Sequence, residues 1–155
     1  MPGDLYTSLL YAREWPILGK AAYFLLKILG AEIPLSVKLG KDCLLEHGGF
    51  GVVIHSKTIL GDRVKIYPGV TVGRADVYRT AEDSTFEGVI IEDDVILAAG
   101  CKVLCREEWL RVGRGSVIGA NAVLLESTRE GEIWAGIPAR LVGRREPGRR
   151  STEEP

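Results

Sequence analysis

The stretch LGKDCLLEHGGFGVVIHSKTILGDRVKIYPGVTVG, residues 39–73, contains both histidines of the chain and a regular spacing of aliphatic residues. Its aliphatic residues recur six positions apart, at Leu39 and Leu45 and again at Ile54, Leu60, Ile66 and Val72. A helix repeats a face about every 3.6 residues and a strand every two, so a period of six fits a strand only if the chain also turns regularly. Glycine follows several of these aliphatics, which suits tight corners. The spacing therefore predicts a β-helix of hexapeptide units.

The same spacing returns after residue 88, in units such as IEDDVI, LAAGCK, VGRGSV and IGANAV. Its inward aliphatic positions are predicted to be Ile91, Leu97, Val103, Val112, Ile118 and Leu124. The period slips by three residues around Arg106 to Trp109. Both blocks together predict roughly four to five coils, stacked about 4.8 Å apart as neighbouring strands are. The body of the protein is expected to be a short prism.

Two interruptions of the period are the places where function is expected. Leu45 to Ile54 spans nine residues where six would be regular, and the break contains Glu46, His47 and three glycines. A glycine-rich break with a titratable side chain in a rigid scaffold favours a functional site, and surplus corner residues are the alternative. Residues 74–88, RADVYRTAEDSTFEG, leave the period altogether. A loop of this length is either a functional lid or a flexible insertion.

Residues 1–30 have the only helical pattern in the chain. Apolar residues recur at three- and four-residue steps, at Leu9, Leu10, Trp15, Leu18, Ala22, Leu25, Leu26 and Leu29. Pro16 suits a first turn and Gly30 a stop. Residues 15–29 are too short to cross a bilayer and include two lysines, so they either pack on the protein or a neighbouring subunit or make weak contact with a membrane surface.

The remaining organisation follows from composition and from the C-terminal residues. With 155 residues, 46% of them apolar, the chain can bury one core, and its net charge of -1 argues against a nucleic-acid partner. The three cysteines do not form a disulfide framework, and no signal peptide is recognised, so a cytoplasmic protein is expected. Cys43 and Cys101 fall at inward positions of the repeat and are expected to be buried thiols. Residues 31–143 are predicted to be the β-helix domain and residues 144–155 a mobile tail. Three residues are expected to cap the open end of the coil, namely Ile137, Leu141 and Val142.

The segments LGKDCL, LEHGGFGVVIH, GVTVG, IEDDVILAAGCKVL, VGRGSVIGANAVL and WAGIPARLVG, in this order, resemble the hexapeptide-repeat acyltransferases. The likeness covers roughly residues 33–143 and is strongest to serine acetyltransferases and related O-acetyltransferases acting on sugars or polysaccharides. It implies an all-β fold, a left-handed parallel β-helix with a short N-terminal helical segment. It also implies a homotrimer whose active sites lie between protomers, with acetyl-CoA as donor and no metal. The implied reaction is direct attack of an acceptor hydroxyl on the thioester.

The resemblance also assigns roles to individual residues. His47 matches the family's catalytic histidine, the general base, and Glu46 stands where serine acetyltransferases have an aspartate that orients the base or the substrate. His55 follows VVI, where many sugar-type relatives have histidine, and is either a second catalytic or substrate-contacting group or a surface residue. The coenzyme groove is expected to involve Gly73, Arg74, Ala99, Ala120 and Arg140. Arg144 and Arg145 are further candidates for the coenzyme phosphates.

Two departures from the family pattern leave other functions open. His47 to Gly51 is four steps where the family usually has three, and the loop of residues 74–88 has no histidine where serine acetyltransferases carry an Arg-His pair. A saccharide acceptor is therefore somewhat favoured over serine, and a non-catalytic trimeric scaffold is the alternative to an enzyme. A carbonic anhydrase on the same fold would need three histidines around a metal, whereas the chain has two.

Overall fold

The computed structural model describes residues 5–145, which contain two short helices and a coil of short strands. The chain passes in turn through three sheets, in which strands one coil apart pair in parallel, apart from the last strand of sheet 1. Sheet 1 contains β1 (Leu44–Leu45), β4 (Lys65–Ile66), β7 (Ile96–Leu97), β10 (Val117–Ile118), β12 (Glu132–Gly136) and β13 (Ala139–Arg144). Sheet 2 contains β2 (Val53–Ile54), β5 (Thr71–Arg74), β8 (Lys102–Cys105) and β11 (Val123–Leu124). Sheet 3 contains β3 (Thr58–Leu60), β6 (Gly88–Ile91) and β9 (Trp109–Val112). The predicted stack of parallel sheets is confirmed.

The interior of the coil is a column of the aliphatic residues that the sixfold spacing predicts. Apart from Leu39, which is half-buried, every predicted inward aliphatic is at most 2% exposed. Strand register places them directly above one another, as in Ile54 beside Val72 and Val72 beside Val103. Burial of one such side chain is worth about 1.5–3 kcal/mol, so the column is the main source of stability. Cys43 and Cys101 are buried in it, as predicted.

The prism has three corners, which we name by their contents. The His47 corner leads from sheet 1 to sheet 2, the His55 corner leads from sheet 2 to sheet 3, and the third corner leads back to sheet 1. Glycine at the third corner is required by close approach, because a Cβ at Gly40 would collide with the backbone of Gly61 in the next coil. The excursion between β5 and β6, residues 75–87, leaves from the His55 corner.

The helices α1 (Leu5–Ala12) and α2 (Gly19–Ile28) close the first end of the coil. The guanidinium of Arg13 is buried and donates hydrogen bonds to four backbone carbonyls, those of Leu10, Ile33, Pro34 and Val37. The described contacts of these helices are with one another and with the first coil. No helix within residues 5–145 is long and apolar enough to cross a membrane.

The predicted apolar stripe of the helices is only partly correct. Leu10, Ala22 and Leu26 are buried, but Trp15, Leu18 and Leu25 are exposed. The reason is the boundary of α2, which begins at Gly19 rather than at Pro16 because residues 16–18 form a turn. Trp15 and Leu18 therefore lie outside the helices, in the connection between α1 and α2.

The last two strands also differ from expectation. β12 and β13 form an antiparallel hairpin that extends sheet 1, and β13 reaches Arg144, so the β structure continues past the predicted boundary at residue 143. The residues expected to cap the coil, Ile137, Leu141 and Val142, are exposed, because the hairpin continues the sheet instead of folding over the open end. Trp134 and Ala139 are buried in their place. The rest of the predicted tail, residues 146–155, lies outside the described residues.

Candidate functional site

The first coil carries three extra residues at the His47 corner. In the higher coils four steps lead from one inward residue to the next, as from Ile66 to Val70, but Leu45 to Val52 takes seven. The extra length is a 3₁₀ turn, Glu46–Gly49, in which the backbone of His47 has φ 51° and ψ 33°. A non-glycine residue in this left-handed region is uncommon and costs energy unless its surroundings hold it. The turn directs the His47 side chain outward, where it is exposed.

The neighbours of His47 come from the coil above it. The ring centroid of Tyr67 is 6.0 Å from that of His47, and the Nζ of Lys65 is 3.8 Å from a carboxylate oxygen of Glu46. Both partners stand where strand register predicts, because Leu44 pairs with Lys65. The described ion pair of Glu46 is therefore with Lys65. The predicted contact between Glu46 and the imidazole of His47 is not among the described interactions.

Above the second coil, which carries Tyr67 and Pro68 at the His47 corner, the same corner has small residues. Ala99 and Ala120, the predicted groove residues, are exposed at equivalent positions of the third and fourth coils. Gly51, Gly69 and Gly100 stack at this corner, each with positive φ. A column lined by small side chains leaves room for an extended ligand to approach the backbone. The structure thus places His47, Glu46, Ala99 and Ala120 along one edge of the prism.

The other predicted residues lie along a different edge, at the His55 corner. His55 follows β2, and its backbone N–H donates to the carbonyl of Val72, so that it stands beside Gly73 in the next coil. Arg74 follows, with its Nε 3.7 Å from a carboxylate oxygen of Asp76 and an Nη donating to the carbonyl of Arg79. These contacts tie Arg74 to the base of the excursion loop.

His55 is held in one orientation by two contacts. Its Nδ1 accepts a hydrogen bond from the backbone N–H of Lys57 at 3.1 Å, and the ring of Phe86 packs edge to face at 4.7 Å. Burial lowers the pKa of His55 below its ordinary value, and the nearby charges of Lys57 and Arg74 lower it further. The imidazole is therefore neutral at neutral pH. Because Nδ1 accepts a hydrogen bond, the proton of the neutral ring is on Nε2.

Arg140 lies in β13 of sheet 1, and its side chain lines a cavity of about 460 Å³ that is otherwise bordered mainly by the His55 corner of the third and fourth coils. Two arginines and an indole contribute to its lining, namely Arg106, Arg140 and Trp109. The guanidinium of Arg140 is 3.6 Å from the carboxylate of Glu126. Arg144 and Arg145 bind the protein itself, through the carboxylate of Glu132 and the carbonyl of Gly115. Their contacts do not support a role at the coenzyme phosphates.

The predicted site residues thus form two groups at two corners of one protomer. Sequence reasoning missed Lys65, Tyr67, Lys57 and Phe86, which complete the surroundings of the two histidines. The 21-residue offset between Leu44 and Lys65 could have identified the first two, whereas the contact of Phe86 depends on the path of the excursion loop. Among residues 5–145 there is no group of three side chains suited to hold a metal ion.

Comparison with known proteins gives a consistent result. A family model described as hexapeptide repeat of succinyl-transferase matches residues 81–105. The serine acetyltransferase of Bacillus licheniformis is 36% identical over 113 residues, which cover 73% of this chain and 48% of that protein. The serine acetyltransferase of Bacillus pumilus is 34% identical over 128 residues, and the match covers 77% of this chain and 55% of that protein. The chain spans about half the length of the curated relatives it matches.

Solved structures agree with the sequence relatives. The match with the structure of serine acetyltransferase from Vibrio cholerae covers 91% of this chain and 52% of the Vibrio chain, with a TM-score of 0.71 and 26% identity. The match with serine acetyltransferase from Brucella abortus in complex with coenzyme A covers 89% of this chain and 54% of the Brucella chain, with a TM-score of 0.71 and 27% identity. The likeness therefore extends over nearly the whole described chain.

Proposed function

The chain is a member of the hexapeptide-repeat acetyltransferases, close to the serine acetyltransferases, and on this premise we propose that it is an acetyl-CoA-dependent O-acetyltransferase. One observation carries the proposal. His47 is held outward by an inserted turn, at the corner where the third and fourth coils carry small exposed residues. In this proposal the coil is left-handed, as the resemblance implies, and three protomers assemble so that each site lies between two of them. The protein acts in the cytoplasm.

His47 is the general base of the proposed reaction. An alcohol is a poor nucleophile until its proton is withdrawn, and a positioned imidazole typically contributes about 10²- to 10⁴-fold. His47 takes the proton from the acceptor hydroxyl while the oxygen attacks the carbonyl carbon of the acetyl thioester. The carbon–sulfur bond then breaks, and the thiolate receives the proton from the imidazolium. Glu46, fixed by Lys65, stabilises that imidazolium.

The coenzyme is proposed to bind along the edge above His47. Ala99 and Ala120 are small and exposed there, so the pantetheine arm can run close to the backbone. Gly73 and Arg74 belong to the other corner, and the side chain of Arg140 lines a cavity there, so in this proposal they reach the same coenzyme from the neighbouring protomer. The coenzyme complex of the Brucella abortus relative supports a coenzyme A ligand for this fold.

Serine and a saccharide are the two candidate acceptors. The names of the relatives support serine. The absence of histidine from residues 74–88 supports a saccharide, because this loop differs there from the serine acetyltransferase pattern. Initial rates with each acceptor at equal concentration decide between them.

The test of the proposed function is release of the coenzyme thiol from acetyl-CoA. We expect release to require a hydroxylated acceptor and kcat to fall at least about 10²-fold in His47→Ala. Arg129→Ala, at an exposed position away from both corners, is the matched control and should keep wild-type activity. Normal turnover in His47→Ala would overturn the assignment of the base. If calorimetry detects no coenzyme A binding at millimolar concentration, the protein is a scaffold instead.

A further inference from the structure

The two histidines cannot act on the same group within one protomer. His47 precedes the sheet 2 side of the first coil and His55 follows it. At about 3.3 Å per residue, Val52 to His55 alone spans about 10 Å, far beyond hydrogen-bond reach. A threefold ring, however, brings unlike surfaces of adjacent protomers together. The His47 corner of one protomer and the His55 corner of the next are two such surfaces, because within each protomer the two corners lie on opposite sides of sheet 2.

Beside His55 the structure has unfilled space, here called the notch, although the backbone of Gly73 that borders it is buried. Gly73 stands next to His55 in register and has an ordinary φ, and a Cβ built on it would have no atom within 4 Å. The notch is bordered by the ring of Phe86 and by Arg74, while Lys57 adds a second positive charge. There is therefore space for a small group beside the imidazole, near the cations of Lys57 and of Arg74, the latter being paired with Asp76.

The hydrogen bonding of His55 determines what it can do there. Its Nδ1 already accepts the N–H of Lys57, so the nitrogen left for a ligand, Nε2, carries the proton. A ring in this state donates a hydrogen bond and cannot accept a proton at Nε2. It therefore suits an oxygen that gains negative charge, and not a hydroxyl that must lose a proton.

We propose that His55 of one protomer donates its Nε2–H to the thioester carbonyl oxygen of the acetyl group at the neighbouring protomer's His47, so that each active site needs both histidines from two chains. This inference rests on the proposed acetyltransferase activity. As the acceptor oxygen bonds to the carbonyl carbon, the π electrons of the carbonyl move onto its oxygen, and His55 stabilises that oxyanion without transferring a proton. When the carbon–sulfur bond breaks, the carbonyl re-forms and the hydrogen bond weakens.

Kinetics of single variants test the role of His55. We expect His55→Ala to lower kcat about 10²- to 10³-fold, as for other oxyanion donors, with KM for both substrates changed less than about threefold. His55→Gln keeps an N–H donor of similar reach and should recover part of the loss. The pH profile of His55→Gln should retain the ionisation of the base. If that ionisation disappears, or if only the KM for the acceptor rises, the oxyanion role is wrong.

Mixed trimers test whether the site is shared between protomers. Co-expression of His47→Ala with His55→Ala chains should restore activity to about one quarter of the wild-type value, because a quarter of the random interfaces pair both intact histidines. As a control, wild type is co-expressed with a chain that carries both His47→Ala and His55→Ala. This mixture should also have about one quarter of the wild-type activity if sites are shared, whereas sites within single chains would give about one half. No restoration in the first mixture would overturn the proposal.

The outcome for His55 is separable from that of the proposed function. If wild type transfers no acetyl group to any acceptor, the proposed function fails. If wild type is active, His47→Ala is inactive and His55→Ala keeps at least half of the wild-type kcat, only the inference about His55 fails.

Discussion

His55 is a residue whose charge state is set by its neighbours. Burial opposes a charged ring, and Lys57 and Arg74 oppose it further, so the pKa of His55 is lowered in the folded protein. In the unfolded chain the pKa returns to about 6.5. The unfolded state therefore binds more protons than the folded state as the pH falls through this value, and stability decreases on the acid side.

This difference gives a prediction for stability against pH. We expect the free energy of unfolding of wild type, relative to His55→Gln, to decrease between pH 7.5 and pH 5.5, because only wild type must keep this ring neutral. Urea denaturation at both pH values measures it. In Arg74→Met the decrease in the free energy of unfolding between pH 7.5 and pH 5.5 should be smaller, since one of the two cations that lower the pKa of His55 is gone. A difference independent of pH would show that His55 titrates normally in the folded state.

At the scale of elements, the Glu46–Gly49 turn and α1 depend on one another. Gly48 has φ 78°, and a Cβ on it would lie 2.8 Å from the ring of Tyr6 in α1. The ring of Phe50 packs on Tyr6 as well, with centroids 5.9 Å apart. The helix therefore supports the turn that carries His47. This gives α1 a role in positioning the proposed base.

Three glycine substitutions separate backbone strain from steric contact. Gly115→Ala, with φ 67° and open space around its Cβ, should cost about 1 kcal/mol from the left-handed backbone alone. Gly48→Ala adds the collision with Tyr6 and should cost at least about 2 kcal/mol. Gly73→Ala has neither problem and should stay within about 0.5 kcal/mol of wild type. Equal losses at Gly48 and Gly115, measured by urea denaturation, would show that Tyr6 moves aside freely.

How far the sequence could predict these elements depends on whether the information is local. The inward column was predictable because each aliphatic repeats at a fixed spacing, and the insertion at His47 was visible as a break in that spacing. The exposure of Trp15 and Leu18 was not predictable, because it depends on a turn fixed by the packing of Gly19 against Arg13. To predict that the two site groups lie at different corners, each residue must be assigned to one of the three sides of the prism as well as to its place in the sixfold repeat.

At the scale of the whole molecule, stability is distributed along a stack. Each coil contacts mainly the coils next to it, so the end coils have the fewest partners and open most easily. Arg13 counteracts this at the first end, where it satisfies carbonyls of Ile33, Pro34 and Val37. The hydroxyl of Tyr11 adds hydrogen bonds with the carbonyl of Gly40 and the N–H of Cys43. The helical segment therefore caps the stack.

The buried thiols report whether this cap works. Burial raises the pKa of the Cys43 thiol in the first coil and raises that of Cys101 in the third coil to about 12, so both react only after the coil around them opens. Loss of hydrogen bonds from a charged donor costs about 1.5–3 kcal/mol each, so in single-cysteine proteins Arg13→Met should accelerate labelling of Cys43 at least about tenfold. Labelling of Cys101 should change less, and Arg129→Met should change neither. Equal acceleration at both thiols would mean that the molecule opens as one unit, and that Arg13 stabilises the whole stack rather than its first end.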